Sequence, residues 1–350
     1  MMEPLLNISA LNISTKCQRN CERCYGHLNH FRDHEFMKLQ TAQKGTELIL
    51  SHIAPEVGCD ILLYGGEPLL NWTLIREFIP WFNIVNKYDK IKLHTCTNGI
   101  SLTKEIIDFH YDNNINIAIS LDGNYSFNSK KVTREEFDRI ISLIEYGVKK
   151  NPNLFTPHCV LSNKNVTFMH DILSFLVSLG VKWINLERDL RETWSHEDRA
   201  ELIMQMKSII LKYDVIFQPI SESIFDCTSC CTKSMMIYPN GDVYDSCLCM
   251  ASVLVDKGII SHDDTEVLYM GNVNSKVDLK IDEVKKRKLI RSHMDCHLID
   301  KNLSHCLDQI YQNGTSKRPN FRIERLSELN KKRDTTSILK NSFSFIKKKK

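Results

Sequence analysis

STKCQRNCERCYG, residues 14–26, sets Cys17, Cys21 and Cys24 apart by three and then two residues, with Tyr25 directly after. It follows the run Leu11–Ser14, a strand candidate, so the cysteines open a loop at the C-terminal end of a strand. A four-iron cluster normally takes four thiolates. A loop offering three, with no obvious fourth nearby, leaves one iron open to an outside ligand, and chemistry belongs at that iron.

Outward from this loop, apolar β-branched runs alternate with amphipathic segments, the pattern of repeated strand–helix units on a parallel sheet. The strand candidates are Leu11–Ser14, Ile61–Tyr64, Ile91–Thr95, Ile115–Leu121, Phe155–Leu161 and Trp183–Leu186. The helix candidates are Thr41–His52, Trp72–Asn86, Thr103–Asn113, Arg134–Lys149, Val166–Leu179 and Ser195–Tyr213. Six units are too few for a closed eight-stranded barrel, so the expectation is an α/β chain in which chemistry sits at the C-terminal strand ends. Glycine-bearing turns fall at those ends: Gly65–Pro68 after the second strand, Thr97–Gly99 after the third, Ser120–Gly123 after the fourth.

Four segments together carry a family resemblance. Cx3CxxC with a following aromatic, LLYGGEPLLN at 62–71, HTCTNG at 94–99 and ISLDG at 119–123 resemble, in order and distance, the motifs of the radical S-adenosylmethionine superfamily. The resemblance implies a partial (β/α)6 TIM-like barrel. It implies a 4Fe-4S cluster on Cys17, Cys21 and Cys24, and S-adenosylmethionine contacts at Tyr25, Gly65, Gly66, Glu67, Pro68, Thr97, Asn98, Ser120 and Asp122. It further implies reductive cleavage of S-adenosylmethionine to methionine and a 5′-deoxyadenosyl radical that abstracts hydrogen from a substrate. Glu187 and Asp189, at the end of the sixth strand, are candidate proton acceptors; the catalytic base is otherwise unassigned.

From about Phe217 the strand–helix rhythm fails and cysteines accumulate: Cys227, Cys230, Cys231, Cys247, Cys249, Cys296 and Cys306. A short cysteine-rich segment folds around metal because ligand bonds replace a core it cannot build. YPNGDVYDSC at 238–247 resembles the cluster-binding extension called SPASM or, when shorter, twitch. Carried over, that resemblance implies one auxiliary 4Fe-4S cluster on Cys227, Cys231, Cys247 and Cys306. Cys230 can replace Cys231, and Cys249 can replace Cys247, since spacing settles neither; a structural zinc is the competing reading. No cysteine follows Cys306, so the last ligand of a second auxiliary cluster is missing, and His293 stands where the extension's later run would begin. The expected units are 1–215, the barrel; 216–316, the auxiliary-cluster domain; and 317–350, a basic tail. Cys59, Cys96 and Cys159 lie in or beside strands and read as small buried hydrophobes. His27, His30 and His34 read as decoration of a polar loop.

Composition sets outer bounds. Thirteen cysteines in 350 residues, concentrated near the start and in the last third, argue for metal ligation in a reducing, cytoplasmic compartment rather than for disulfides. No run approaches the ~20 apolar residues of a membrane span. The net charge of +3 conceals an asymmetry: residues 317–350 hold 12 Lys and Arg against 3 Asp and Glu, so +9 lies there and −6 elsewhere. Such a tail attracts an acidic peptide or surface; nucleic acid is not the favoured partner. Members of the resembled group most often modify peptides, which implies a ribosomally made peptide or protein substrate crosslinked through thioether or carbon–carbon bonds. It also implies an electron donor such as flavodoxin or ferredoxin. Only about ten residues precede the first strand, so leader recognition is expected on a separate protein or on the basic tail. The alternatives are a sulfatase-maturing or small-molecule dehydrogenase activity or, from another class, a non-catalytic iron–sulfur or zinc protein.

Overall fold

The computed structural model describes residues 8–22, 24, 35–53, 59–189, 192, 194–210, 216–219, 235–245, 251, 254–255, 257–261 and 263–278. Seven parallel strands run in chain order: β1 (Ile8–Ser14), β2 (Cys59–Gly65), β3 (Ile91–Thr97), β4 (Asn116–Ser120), β5 (Phe155–Leu161), β6 (Trp183–Arg188) and β7 (Ile216–Pro219). The helices between them are α1 (Leu39–Ser51), α2 (Trp72–Val85), α3 (Lys104–Asp112), α4 (Tyr125–Asn128), α5 (Arg134–Lys150), α6 (Met169–Ser178) and α7 (His196–Ile210). A second set of strands, β8 (Met235–Ile237), β9 (Asp242–Asp245) and β10 (Tyr269–Asn272), joins the same sheet on the β1 side. The spatial order is β10-β9-β8-β1-β2-β3-β4-β5-β6-β7, so the sheet is open and the strands do not close on themselves. This is the expected α/β, partial-barrel class.

Burial follows the strand period of two. Along β1 and β2, Leu11, Ile13, Ile61 and Leu63 face the helices and are at most 1% exposed, packed in one core with Ile75, Phe78 and Ile79 of α2. Ala10, Leu62, Tyr64 and Met236 take the alternate positions and pack with Tyr238, Tyr244 and Leu268 in a second, smaller cluster. β8 supplies this contact because it pairs with β1 in parallel, Ala10 opposite Met236 and Leu11 opposite Ile237.

Strand and helix positions agree with the sequence reading to within a few residues, and the differences have causes. Ile216–Pro219 is not among the six expected strands; four residues ending in proline carry no alternation to read. Val166–Leu179 divides into a 3-10 turn at Val166–Phe168 and the α-helix Met169–Ser178. The ends of the long loop after β1 are tied together. Thr15 N–H donates to Glu35 O at 3.1 Å, Met37 N–H donates to Ile13 O at 3.0 Å, and the buried Asn71 amide donates to Ile13 O and Met37 O at 2.9 and 3.1 Å. One carbonyl near the end of β1 and one just before α1 are thereby satisfied by a side chain from the next unit. No helix among the described residues is long and apolar enough to cross a membrane.

Candidate functional site

The C-terminal ends of β1, β2 and β3 meet around one carboxylate. Gly65 ends β2 at φ +133°, a conformation open to glycine, and a Cβ there would lie 2.2 Å from Ser14 O and 2.4 Å from Asn12 Oδ1. At Gly66 a Cβ would lie 2.5 Å from Lys16 O, and the backbone N–H groups of Gly66 and Glu67 donate to Ser14 O and Lys16 O at 2.7 and 2.8 Å. The two glycines thus let the turn after β2 press flat against the start of the cysteine loop. Pro68 then opens a 3-10 turn with Glu67 as its N-cap.

Glu67 is fully buried. Its Oε1 accepts from the Thr97 hydroxyl at 2.7 Å and from Leu69 N–H at 3.1 Å, and its Oε2 accepts from Asn98 N–H at 2.7 Å. Desolvation pushes its pKa up; the bonds from Asn98, Thr97 and Leu69 and the charge of Arg19 oppose that rise. Thr97 in turn accepts from Gly99 N–H at 3.0 Å, and Asn98 Oδ1 accepts from Ile100 N–H at 2.9 Å. Gly65–Pro68 and Thr97–Asn98, read from sequence as separate turns, therefore form one hydrogen-bonded unit.

The cysteine loop adjoins that unit. Cys17 is exposed, and Cys21 and Cys24 are half-buried. Cys24 N–H donates to Cys21 O at 3.1 Å. Burial raises the Cys17 and Cys21 pKa; the bond from Arg19 N–H lowers that of Cys17 while Glu67, Cys24 and Cys21 raise it, and for Cys21 the charges of Arg19 and Lys131 oppose the rise that Cys24 and Asp122 add to. Cys17 Sγ accepts two N–H donors, the Arg19 backbone at 3.4 Å and Asn98 Nδ2 at 3.6 Å. Among the described residues no three Cys, His, Asp or Glu side chains are already converged to hold an ion. Protonated thiols gain nothing from converging, and ligand geometry is set when metal displaces the protons. The donor set suits iron: three thiols on one short loop against a glycine-flattened turn, beside N–H donors and a buried carboxylate suited to an ammonium.

The remaining expected residues are distributed around this unit. Ser120 ends β4 and is exposed. Asp122 is buried, with Oδ1 accepting from Val160 N–H at 2.9 Å and Oδ2 paired to Lys131, so both its oxygens already have protein partners. Asp189 lies just past β6 and is 1% exposed, while Glu187 belongs to β6 by its backbone. Tyr25, His27, His30, His34 and the cysteines Cys227, Cys230, Cys231, Cys247, Cys249, Cys296 and Cys306 lie outside the described residues. Cys59 and Cys159 are fully buried in the core. Cys96 is half-buried on the opposite strand face, where desolvation pushes its thiol up to about 12.

Two cations near the thiols escape a motif reading. Arg19 lies beside Cys21, Glu67 and Cys17, and Lys131 is close enough to Cys21 to oppose the rise in its pKa. Arg19 is visible as a charge inside the cysteine run. Lys131 carries no sequence signal, because only the short helix α4 and the turn after it bring it back to Asp122.

Residues 10–139 match the model of a family described as a 4Fe-4S single cluster domain. The chain is 23% identical over 290 residues to an uncharacterized protein of Methanocaldococcus jannaschii, covering 79% of this chain and 92% of that protein. It is 25% identical over 199 residues to the radical SAM cyclopropyl synthase TigE of Paramaledivibacter caminithermalis, covering 53% of this chain and 42% of the synthase. Among solved structures, anSMEcpe with bound AdoMet and Kp18Cys peptide superposes with a TM-score of 0.61 at 14% identity, covering 94% of this chain and 99% of that one. SuiB of Streptococcus suis bound to its precursor peptide SuiA superposes with a TM-score of 0.56 at 16% identity, covering 71% of this chain and 61% of that one.

Proposed function

We propose that the chain is a radical S-adenosylmethionine protein of the SPASM/twitch-containing kind and a maturase of a ribosomally made peptide. In this reading it abstracts hydrogen from the peptide and leaves a thioether or carbon–carbon crosslink. The observation that carries the reading is the junction of three strand ends, where the three-thiol loop and the Glu67–Thr97–Asn98 unit share Asn98 as a common member. A carrier of electrons has no use for a buried carboxylate beside its ligand loop.

Cys17, Cys21 and Cys24 would hold the cluster, and Gly65–Pro68 with Thr97 and Asn98 would hold the amino end of S-adenosylmethionine. Together these cofactors supply one-electron cleavage of a sulfonium C–S bond and a radical able to take hydrogen. Glu67 contributes a negative charge in a desolvated place, where its attraction for an ammonium is stronger than in water. Gly65 and Gly66 keep the backbone flat enough for close approach. Ser120 presents a hydroxyl at the open strand end, and Asp122, locked by Val160 and Lys131, fixes the turn that carries it. The sheet interior positions the substrate and keeps water from the radical. An auxiliary cluster on Cys227, Cys231, Cys247 and Cys306 belongs to the same proposal, as do a peptide substrate, a flavodoxin- or ferredoxin-like donor, a separate leader-recognition protein and the division at residue 215. That SuiB binds its precursor peptide and anSMEcpe a peptide supports the substrate class.

The test is direct. Anaerobically reconstituted, reduced protein incubated with S-adenosylmethionine should form 5′-deoxyadenosine well above a Cys17→Ala control. No product above that control would leave the non-catalytic iron–sulfur reading standing.

A further inference from the structure

Arg19 stands between the first two cysteines of the loop and belongs to none of the cofactor-contacting turns. Its guanidinium is largely desolvated, beside Cys21, Glu67, Cys17 and Glu136. Its Nε is buried and has no hydrogen-bond partner among the described residues. Of the two carboxylates near it, Glu67 accepts from Thr97, Leu69 and Asn98 with both oxygens, and Glu136 accepts from Thr133 N–H through Oε2 at 2.8 Å. A buried donor without an acceptor calls for an explanation. The sulfurs of Cys17 and Cys21 also lie beside it, and they become anionic acceptors when metal displaces their protons. Cys17 Sγ already faces two N–H donors, from Asn98 and from the Arg19 backbone.

We infer that Arg19 is a positioning residue that tunes the cluster. Its Nε–H donates to a sulfur of the bound cluster, and its charge, with the Asn98 amide on Cys17, raises the reduction potential of that cluster. The inference rests on the cluster reading proposed above and goes beyond it, since it assigns a residue that no cofactor motif includes. The physical basis is that cluster potentials depend on net charge, on hydrogen bonds to the sulfurs and on solvent exposure. Reduction adds one electron, so a fixed positive charge and N–H donors favour the reduced form over the oxidised one.

The experiment is a dithionite titration of the reconstituted holoprotein with redox mediators, following the reduced-cluster signal by electron paramagnetic resonance and measuring iron content in parallel. Arg19→Gln should keep wild-type iron and shift the midpoint to more negative potential. Arg19→Lys, which keeps the charge and loses the fork of donors, should shift it less, and Asn98→Ala should give a negative shift of its own. An unchanged midpoint in Arg19→Gln at wild-type iron content would overturn the inference. If Arg19→Gln loses iron, the other two variants decide, and wild-type midpoints in both would overturn it. A wild-type cluster signal that S-adenosylmethionine perturbs, together with unshifted variants, would sink the Arg19 role alone. Absence of any four-iron signal in the wild type would sink the cluster reading beneath it.

Discussion

Glu67 concentrates the chemistry of this site in one side chain. Its two oxygens take three donors, two of them backbone N–H groups, in a fully buried place. A glutamine there has a single acceptor oxygen. Whichever way its amide turns, an –NH2 faces either Leu69 N–H or Asn98 N–H, and one buried donor is left unmade at a cost of about 1–3 kcal/mol. Glu67→Gln should therefore lower the urea midpoint of the protein as well as weaken S-adenosylmethionine binding; an unchanged midpoint would mean that these bonds contribute nothing to the fold. GGEP is plain in the sequence. That its carboxylate turns inward to Thr97 and Asn98, thirty residues further along the chain, is not, because the contact exists only once β2 and β3 lie side by side.

Among the elements, α3 carries a histidine the site does not use. His110 is fully buried, Nδ1 2.7 Å from Ile106 O and Nε2 3.0 Å from the Thr95 hydroxyl, its ring stacked on Trp72 at 6.0 Å between centroids. Desolvation lowers its pKa to about 4, against an ordinary 6.5. The unfolded chain therefore takes up a proton that the folded one refuses as pH falls from 6.5 towards 4. Stability is undiminished above that window and declines through it, by on the order of 3 kcal/mol in total. Unfolding free energies measured across the window should fall more steeply in the wild type than in His110→Gln; equal slopes would contradict a neutral buried histidine. Other element features were open to reading. Thr133 and Glu136 form the capping box that starts α5, a pattern of residue types visible without coordinates. α2 runs through Pro80 as its apolar spacing implies, the strong apolar face outweighing one lost backbone bond.

At the scale of the whole molecule, a single sheet of ten strands among the described residues joins the parallel units to the antiparallel β8–β10 set through the β1–β8 pairing. β1 is thereby central rather than terminal, and the cysteine loop at its end has strands on both sides. If one auxiliary cluster accompanies the first, anaerobically reconstituted protein should carry about eight irons per chain. About four would remove the auxiliary site, and about twelve would add a third cluster. Changing Cys306 to Ala should preserve 5′-deoxyadenosine formation and abolish peptide product; full product from that variant would end the auxiliary role.

The amino-acid sequence by itself determined the strand–helix alternation, the three-thiol loop and the glycine turns at the strand ends. These depend on local spacing, side-chain size and backbone freedom, all of which a short window contains. The tertiary structure alone decided that Asn98 reaches both Glu67 and Cys17, that Lys131 neutralises Asp122, that Arg19 Nε is buried without a partner among the described residues, and that β8 lies against β1. Each of those depends on which strands become neighbours and in what register, a matter settled by burying apolar faces across the whole sheet, which no short window of residues encodes.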